Sequence, residues 1–406
     1  MKKILPVLIL TVVLLLGVGL LVMASASTLQ GETPDFYFNR QLMWLAGAIV
    51  VGFIASRFDY HNWQKWLAWK NFPLLPFLFY LFIVVLLVLT LCPGIKREIN
   101  GSFRWIPLGP FSIQPGEFAK LAIVVATAIW MDYIKRQTVP AIVAAPITQK
   151  DRIKGRVVEF LREVFVPAML LGVFAFLLYK EKDLGATVVI GVLGLSLMCV
   201  AGMRKIYLLF FGTVGGGLAA LWIITDAHRL GRLMGWWNFL INPSATSDVN
   251  YHVKQSITAF KFGGLGGVGF NQSIQKYQYL PESHTDFVFA IGGEELGFFF
   301  SIGVLIAYAV LLVCGILISL RAPDRFGRLL AFGMVLLLVF QGAFNIGVVT
   351  GAFPTKGLAL PFISYGGSNL ITALVAVGTL FNIGRQIDEH EERTYTRVVR
   401  NAVNTV

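Results

Sequence analysis

The stretch Phe298-Phe-Phe-Ser-Ile-Gly-Val-Leu-Ile-Ala-Tyr-Ala-Val-Leu-Leu-Val-Cys-Gly-Ile-Leu-Ile-Ser-Leu320 decides the fold class of this 406-residue chain. It holds no charged residue and can cross the hydrocarbon core of a bilayer, which takes about 20 apolar residues. Because a backbone in lipid has no water to bond to, such a run must form a helix. Comparable runs recur along the chain, which is 56% hydrophobic and only 14% charged, against about 25% charged in soluble proteins.

These runs predict an all-α polytopic membrane protein with about ten transmembrane helices. Residues 1–406 read as one integral membrane domain with a solvated tail, 385–406. The connection between spans seven and eight, 226–294, is too long for a simple connector, and we interpret it as a large, partly re-entrant loop. The first run is longer than the core of a signal peptide and is kept as a span. The predicted spans are 4–25, 41–57, 72–92, 118–134, 165–178, 186–202, 206–225, 295–318, 328–351 and 363–384.

Lysine and arginine are distributed unequally between the two sides of these spans. Loops on the side of the N-terminus hold nearly twice as many of the 34 basic residues as the opposite loops, and the 135–164 loop is the richest. The positive-inside rule therefore predicts that both termini are cytoplasmic and that 226–294 is extracytoplasmic. We attribute the net charge of +12 to topology and contact with anionic lipid, not to nucleic-acid binding.

A polar motif lies directly before the eighth span. The segment Tyr279-Leu-Pro-Glu-Ser-His-Thr-Asp-Phe287 places Asp286 together with Glu282, His284 and Thr285 at a membrane face. Polar groups held there suggest chemistry on a substrate that is half lipid and half polar. Asp286 is the candidate catalytic residue.

Glu294 and Glu295 follow at the mouth of the same span. Acids in the first turn of a helix are favoured by the helix dipole, which explains these two residues without a function. That explanation does not extend to Asp286, which lies two turns earlier.

A second candidate site lies in the segment 93–117 and the start of the fourth span. Pro115 suits the first turn of a helix, and Glu117 and Lys120 then share one helical face. A lysine about one turn inside a membrane is costly and usually faces a cavity or a partner. The alternatives are that Lys120 extends to the interface or only pairs with Glu117. Arg104 and Trp105 are equally consistent with an interfacial anchor.

The glycine-rich stretch Gly263–Gly269 contains a formal GxGxxG pattern. No strand precedes it and no βαβ unit follows, so a dinucleotide site is not indicated. We interpret it as a turn between re-entrant pieces whose backbone N–H groups could bind an anion, with Lys276 close behind.

The segment 354–368 is interrupted by proline and glycine at the same face. Lys356 and the turn that begins at Ser364 could hold an anionic headgroup, or the turn could simply start the tenth span. Gln341 and Asn345 lie four residues apart in the ninth span, and we expect them to form interhelical hydrogen bonds.

Together these motifs resemble the SEDS family (shape, elongation, division and sporulation) along essentially the whole chain. The variant of the motif around Lys276 is closer to the division branch than to the elongation branch. The departures are Gly116, where the family usually has serine, and Glu181-Lys182-Asp183-Leu184-Gly185, which adds two charges to an outer loop. The motifs are Asn100-Gly, Arg104-Trp105, Gln114-Pro115, Glu117, Lys120, Gly263–Gly269, Gln275-Lys276, Leu280–Phe287, Glu294–Gly297, Pro354–Gly357, Leu360-Pro361 and Ser364–Ser368.

The resemblance implies an inverting peptidoglycan glycosyltransferase of the bacterial cytoplasmic membrane that uses lipid II. The implied partners are a class B penicillin-binding protein and other divisome or elongasome membrane proteins. No P-loop is present, and no nucleotide cofactor is predicted. The alternatives are a lipid II flippase, a polymerase of the elongation branch and a non-catalytic scaffold.

In that reading Asp286 and Lys120 are the catalytic residues. Asp286 is the base, and a cation, either Lys120 paired directly with it or a metal ion, is expected to keep it ionised against the effect of burial. The leaving pyrophosphate is expected to be stabilised by positive charge, which comes from Mg²⁺ or Mn²⁺ and from Lys120, Lys276, Arg104 and Lys356. The predicted substrate-binding residues are Arg104, Trp105, Gln114, Glu117, Lys276, Glu282, His284, Thr285, Glu294, Lys356, Ser364, Tyr365 and Gly366.

Overall fold

The computed structural model describes residues 1–27, 36–65, 68–69, 72–94, 102–109, 111–143, 157–158, 160–242, 251–277 and 279–404. The middle of the predicted basic loop and the Asn100-Gly pair lie outside these ranges. A helix is found at every predicted span. The helices are α1 (Ile4–Ala26), α2 (Phe36–Arg57), α3 (Asn62–Lys65), α4 (Leu74–Leu89), α5 (Pro115–Val143), α6 (Val166–Lys180), α7 (Leu184–Val200), α8 (Lys205–Ile224), α9 (Ala227–Ile241), α10 (Tyr251–Gly263), α11 (Val288–Arg321), α12 (Arg325–Val349) and α13 (Gly367–Asn404).

Seven helices in the described part of the chain are long and apolar enough to cross a membrane by length and composition. α4 and α7 are apolar but shorter, and α5 carries the charges of Glu117 and Lys120. The protein is therefore a multi-pass membrane protein, as the apolar runs predict. α12 is largely buried, and so are residues 115–134 of α5 and 367–387 of α13, whereas α8 buries only Trp222.

Several boundaries differ from the sequence-based ones. The fifth predicted span, α6, is preceded by a π-helical turn, Leu161–Phe165. The tenth predicted span, α13, begins only at Gly367 because a turn precedes it. That helix continues to Asn404, so the described part of the tail is helical. The eighth span begins at Val288, not 295, because the chain forms a short helix before its break at Gly297.

Two short antiparallel hairpins supplement the helices. The strands β1 (Ala68–Trp69) and β2 (Phe72–Pro73) form one hairpin, and β3 (Ile106–Leu108) and β4 (Phe111–Ile113) form the other. The second hairpin has a functional consequence, because it brings Arg104, before β3, close to Gln114, after β4.

The break in α11 is the most unusual backbone feature. Gly297 has φ 74° and ψ −160°, which only glycine adopts readily. The first helical segment, 288–296, then ends in carbonyl groups without intrahelical partners. Val268 N–H donates to the Glu294 carbonyl at 3.0 Å and Gly269 N–H to the Glu295 carbonyl at 3.1 Å. The glycine-rich stretch therefore completes the broken helix.

This pairing requires backbone-to-backbone contact. A Cβ at Gly263 would overlap the Gly293 carbonyl, and a Cβ at Gly267, where φ is +80°, would overlap the Glu295 carbonyl. Because these amides bond to the protein's own carbonyls, Val268 and Gly269 do not offer the anion nest that the glycines suggested.

Gly267→Ala is expected to lower the free energy of unfolding by about 1–3 kcal/mol, because alanine meets both the steric overlap and the positive φ. Thermal unfolding in detergent measures the change. Gly266→Ala is the matched control, since nothing lies within 4 Å of a Cβ at that position. Equal unfolding temperatures for the two variants would contradict the assigned role of Gly267.

Candidate active site

Asp286 ends the predicted motif and lies immediately before α11. Its carbonyl accepts a hydrogen bond from Asn345 Nδ2 at 2.8 Å, and the same amide donates to the Leu358 carbonyl at 2.6 Å. A Cβ at Gly357 would lie 2.5 Å from Asp286 Oδ2. The half-buried carboxylate therefore rests against the 354–366 segment, and α12 fixes both backbones. The expected interhelical hydrogen bond is confirmed for Gln341, which bonds Lys120 of α5, and is wrong for Asn345, whose partners lie outside the helices.

Lys120 is completely buried, with 0% exposure. Its Nζ lies 2.7 Å from Glu117 Oε1 and 2.7 Å from Gln341 Oε1, and Gln341 Nε2 donates to the Ala359 carbonyl at 2.9 Å. The predicted pairing with Glu117 is confirmed, and the idea that Lys120 extends to the interface is wrong. The direct pair of Lys120 with Asp286 is not formed: Lys120 is bonded to Glu117 and, through Gln341, to the 354–366 segment against which Asp286 rests.

Asp183 was missed by the sequence analysis and organises the site. Its Oδ1 caps α7 by accepting from Ala186 N at 3.0 Å. Its Oδ2 lies 3.5 Å from Arg104 Nε and 3.5 Å from Gln114 Nε2. Arg104 and Lys356 hold the pKa of this buried acid below its usual value against the effect of burial. The available signal was an acid directly before an apolar helix, which is typical of an N-cap.

Glu181 also differs from the expectation of an outer-loop charge. It is 1% exposed, and Thr90 Oγ1 donates to it at 2.5 Å. Burial raises its pKa to about 8. Only Lys182, of the two added charges, is exposed.

The ionisation of Asp286 is set by opposing effects. Burial raises its pKa to about 7, Glu282 and Asp183 add to that rise, and Arg104 and Lys356 oppose it. The expectation that a cation would dominate is therefore wrong, because removal from water outweighs the positive charges. Burial also lowers the pKa of Lys356 to about 8. With these values Asp286 is partly ionised near neutral pH, while most Lys356 side chains stay charged.

His284 and Tyr365 form an aromatic edge beside the cluster. His284 stacks on Tyr37 with ring centroids 4.4 Å apart, and its carbonyl accepts from Tyr365 N at 3.0 Å. Burial lowers the pKa of His284, which favours the neutral ring. Thr285 Oγ1 donates to Glu282 Oε2 at 2.9 Å.

Ser364 and Gly366 hold the turn before α13. Ser364 Oγ accepts from Leu360 N at 2.8 Å, and Gly366 N donates to Gln41 Oε1 at 3.3 Å. These groups therefore shape the wall of the site. Trp105 is half-buried beside Arg104.

Lys276 and Glu294 lie in a different cluster, behind the break in α11. Lys276 Nζ is buried and lies 3.3 Å from Glu295 Oε1, and Glu294 Oε1 accepts from Ile274 N at 3.1 Å. Glu294 and Glu295 lie at the C-terminal end of a helical segment, so the helix-dipole explanation is wrong. The structure does not bring these residues together with Asp286.

Among the described residues, no group of three His, Cys, Asp or Glu side chains is placed to hold a metal ion. Asp183, a buried acid of the site that could serve as a metal ligand, already contacts Arg104 and accepts a hydrogen bond from the Ala186 amide. Mg²⁺ or Mn²⁺ stays a prediction, and we derive no step through it.

Comparison with known proteins identifies the family. The sequence model of the FtsW, RodA and SpoVE family, described as cell cycle protein, matches residues 6–389. The chain belongs to this family. The resemblance to SEDS proteins is thereby confirmed over nearly the whole chain.

Relatives of the FtsW and SpoVE type align end to end with the chain. A probable peptidoglycan glycosyltransferase FtsW from Trichlorobacter lovleyi is 36% identical over 381 residues, which cover 93% of this chain and 92% of the relative. Stage V sporulation protein E from Bacillus subtilis is 37% identical over 393 residues, covering 95% and 98%.

Solved structures show the same fold. A chain of a peptidoglycan synthase complex, in which polymerization and crosslinking are coordinated, has a TM-score of 0.69 and 26% identity, covering 94% of this chain and 97% of that chain. The rod shape determining protein RodA of Thermus thermophilus has a TM-score of 0.63 and 25% identity, covering 93% and 95%. The predicted all-α multi-pass architecture is confirmed.

Lys356→Met is expected to raise the pKa of Asp286 above the value of about 7, because it removes a charge that favours the carboxylate. Infrared titration of the protonated carboxyl band, with Asp286→Asn subtracted as reference, measures the midpoint. Lys182→Met, an exposed lysine one residue from Asp183, is the control and should leave it unchanged. An unshifted midpoint in Lys356→Met would show that Lys356 does not face Asp286.

Proposed function

We propose that this protein is a peptidoglycan glycosyltransferase that polymerises lipid II, most closely of the FtsW division type. The observation that carries the proposal is Asp286, a half-buried acid with a pKa near neutral pH, beside the cations Arg104 and Lys356 at a membrane face. A general base works best when its pKa lies near the operating pH. The names of the relatives from Trichlorobacter lovleyi and other bacteria support the same activity.

The residues fit an inverting transfer. The acceptor sugar hydroxyl gives its proton to the Asp286 carboxylate while its oxygen attacks the anomeric carbon of the donor. The bond from that carbon to the pyrophosphate oxygen breaks with its electron pair, and polyprenyl pyrophosphate leaves. Arg104 and Lys356 stabilise the negative charge on the leaving group. Lys120 supports this step through Gln341, which holds the 354–366 segment.

The remaining predicted substrate-binding residues divide by position. Gln114 and Asp183 orient Arg104, and Glu117 orients Lys120. Glu282, His284, Thr285 and Tyr365 line the approach to Asp286 and are assigned to the sugar acceptor. Trp105, Ser364 and Gly366 shape the wall of the donor side.

A class B penicillin-binding protein is the proposed partner, together with other membrane proteins of the divisome. The structural relative within a peptidoglycan synthase complex that coordinates polymerization and crosslinking supports this assignment. A lipid II flippase is the second candidate, favoured by the buried charge of Lys120 and the broken helix α11. The crowding of the other ionisable groups at one face favours the polymerase.

We further propose that this face is extracytoplasmic and that both termini lie in the cytoplasm, on the basis of the basic-residue bias. Single cysteines at Tyr277 and at Glu391, in a cysteine-free background, are expected to react with an impermeant thiol reagent only from outside and only from inside the cell, respectively. Labelling in the reverse pattern would invert the topology and place the site on the cytoplasmic face.

Asp286→Asn is expected to reduce polymerisation of lipid II by the purified protein with its partner by about 10²–10⁴-fold, because asparagine cannot take the proton. Polymer length on gels and the initial rate measure the loss, and binding of lipid II should persist. Asp226→Asn is the control, since Asp226 caps α9 through the His228 amide at 3.0 Å and asparagine caps a helix equally well. Wild-type polymerisation by Asp286→Asn would refute the mechanism and favour the flippase.

A further inference from the structure

The two glutamates behind the break in α11 occupy an unfavourable position. Glu294 is 0% and Glu295 is 1% exposed, and both lie at the negative end of the 288–296 helical segment. Buried acids at such a site cost stability unless they are bonded. The contacts that compensate them come from two other parts of the chain.

Glu294 is held by the loop that carries Lys276. Its carboxylate accepts hydrogen bonds from Ile274 N at 3.1 Å, from Gln275 N at 3.3 Å and from Ser273 Oγ. The loop amides therefore enclose a carboxylate of the protein itself, in the way that a backbone nest encloses an anion.

Glu295 is bonded to that loop and to α1. Its Oε1 accepts from Ser25 Oγ at 2.5 Å, from Ser273 N at 3.2 Å and from Lys276 Nζ at 3.3 Å. Lys276 Nζ also donates to Ser25 Oγ at 3.0 Å and to the Asn271 carbonyl at 2.9 Å. One buried ammonium thus joins the end of α1, the 271–277 loop and the broken helix.

This network encloses the stretch of chain that carries the base. In the sequence, Asp286 lies between Lys276 and Glu295. The stretch that leads to Asp286 starts from the 271–277 loop, where Leu280 N donates to the Gln275 carbonyl at 3.0 Å. At the other end, the helical segment 288–296 begins two residues after Asp286 and is separated from the rest of α11 by Gly297. The network therefore adds to the other restraints on this part of the chain, which are the glycine-rich stretch, the packing of the buried residues Val288–Ile291 and the bond from Asn345 to the Asp286 carbonyl.

We propose that Lys276, Glu295 and Ser25 form a positioning network that holds Asp286 in register with Arg104 and Lys356, and that Lys276 does not contact substrate. This inference rests on the proposed function and assigns Lys276 and Glu295 a role within it. The ammonium of Lys276 is 1% exposed and already bonded to three residues, so no surface of it is available to a pyrophosphate.

The test compares Ser25→Ala, Glu295→Gln and Lys276→Met with wild type. We expect kcat for lipid II polymerisation to fall by about 10–100-fold in Lys276→Met and Glu295→Gln, because small misplacements of a catalytic group have effects of this size. KM for lipid II should stay within about twofold, as expected when only transition-state interactions are lost. The double variant Lys276→Met/Glu295→Gln should have a kcat no lower than that of the more impaired single variant, because coupled residues act as a unit.

Two further variants separate positioning from general loss of structure. Lys276→Arg keeps the charge and should recover part of kcat. Ser319→Ala removes another buried serine hydroxyl, whose bond to the Arg328 carbonyl is 2.8 Å, and should leave kcat unchanged. If Lys276→Met and Glu295→Gln do not fold, the comparison of Ser25→Ala with Ser319→Ala tests the positioning role. Each removes one buried hydroxyl, and only Ser25→Ala is expected to lower kcat.

The infrared midpoint of Asp286 supplies a readout that is independent of polymerisation. It should shift in Lys276→Met and Ser25→Ala and stay unchanged in Ser319→Ala. Normal kcat and an unshifted midpoint in folded variants would overturn the inference, as would a rise in KM at unchanged kcat, which would place Lys276 on the substrate. Absence of polymer with wild-type protein would instead refute the proposed function, and the midpoint would still decide the positioning.

Discussion

The structure depends on replacing the backbone hydrogen bonds that are lost where α11 breaks beside the membrane. An unpaired backbone group in such a place costs about several kcal/mol. Val268 and Gly269 supply the missing donors, and their approach is possible only because Gly263, Gly267 and Gly297 have no side chain. The break in turn separates a short helical segment from the span, and Asp286 lies two residues before that segment. The position of Asp286 is therefore a consequence of how the broken helix is completed.

A second constraint is the buried charge of Asp183. An acid removed from water requires cations or hydrogen bonds, and Asp183 obtains them from Arg104, from Lys356 and from the first turn of α7. The same two cations then act on Asp286. Burial and positive charge oppose each other at that carboxylate, and the balance leaves its pKa near neutrality. A stronger positive charge would lower the pKa of Asp286, and its removal would raise that pKa further.

The opposite membrane face is closed by contacts between distant helices. The hydroxyl of Tyr60 donates to Asp324, and Tyr60 N donates to Asn382 Oδ1 at 3.2 Å. Asn382 Nδ2 donates to the Ser56 carbonyl at 2.9 Å. These bonds join the C-terminal end of α2 and the N-terminal end of α12, and α13 is bonded to the same region through Asn382 in its interior. α12, which bonds the backbone beside Asp286 at one end, is thus also held at its other end.

The sequence by itself determined the spans, the polytopic fold, the family and the candidate base, because apolar run length, helical spacing and contiguous motifs are local properties. The pairing of Glu117 with Lys120 followed from a spacing of three residues. Only the tertiary structure decided that Asp183 belongs to the site and that Lys276 does not, since both outcomes depend on segments that are far apart in sequence. The pKa of Asp286 was misjudged for the same reason: the competition between burial and charge is a property of the assembled site, where chain packing determines how much water and how many cations reach the carboxylate.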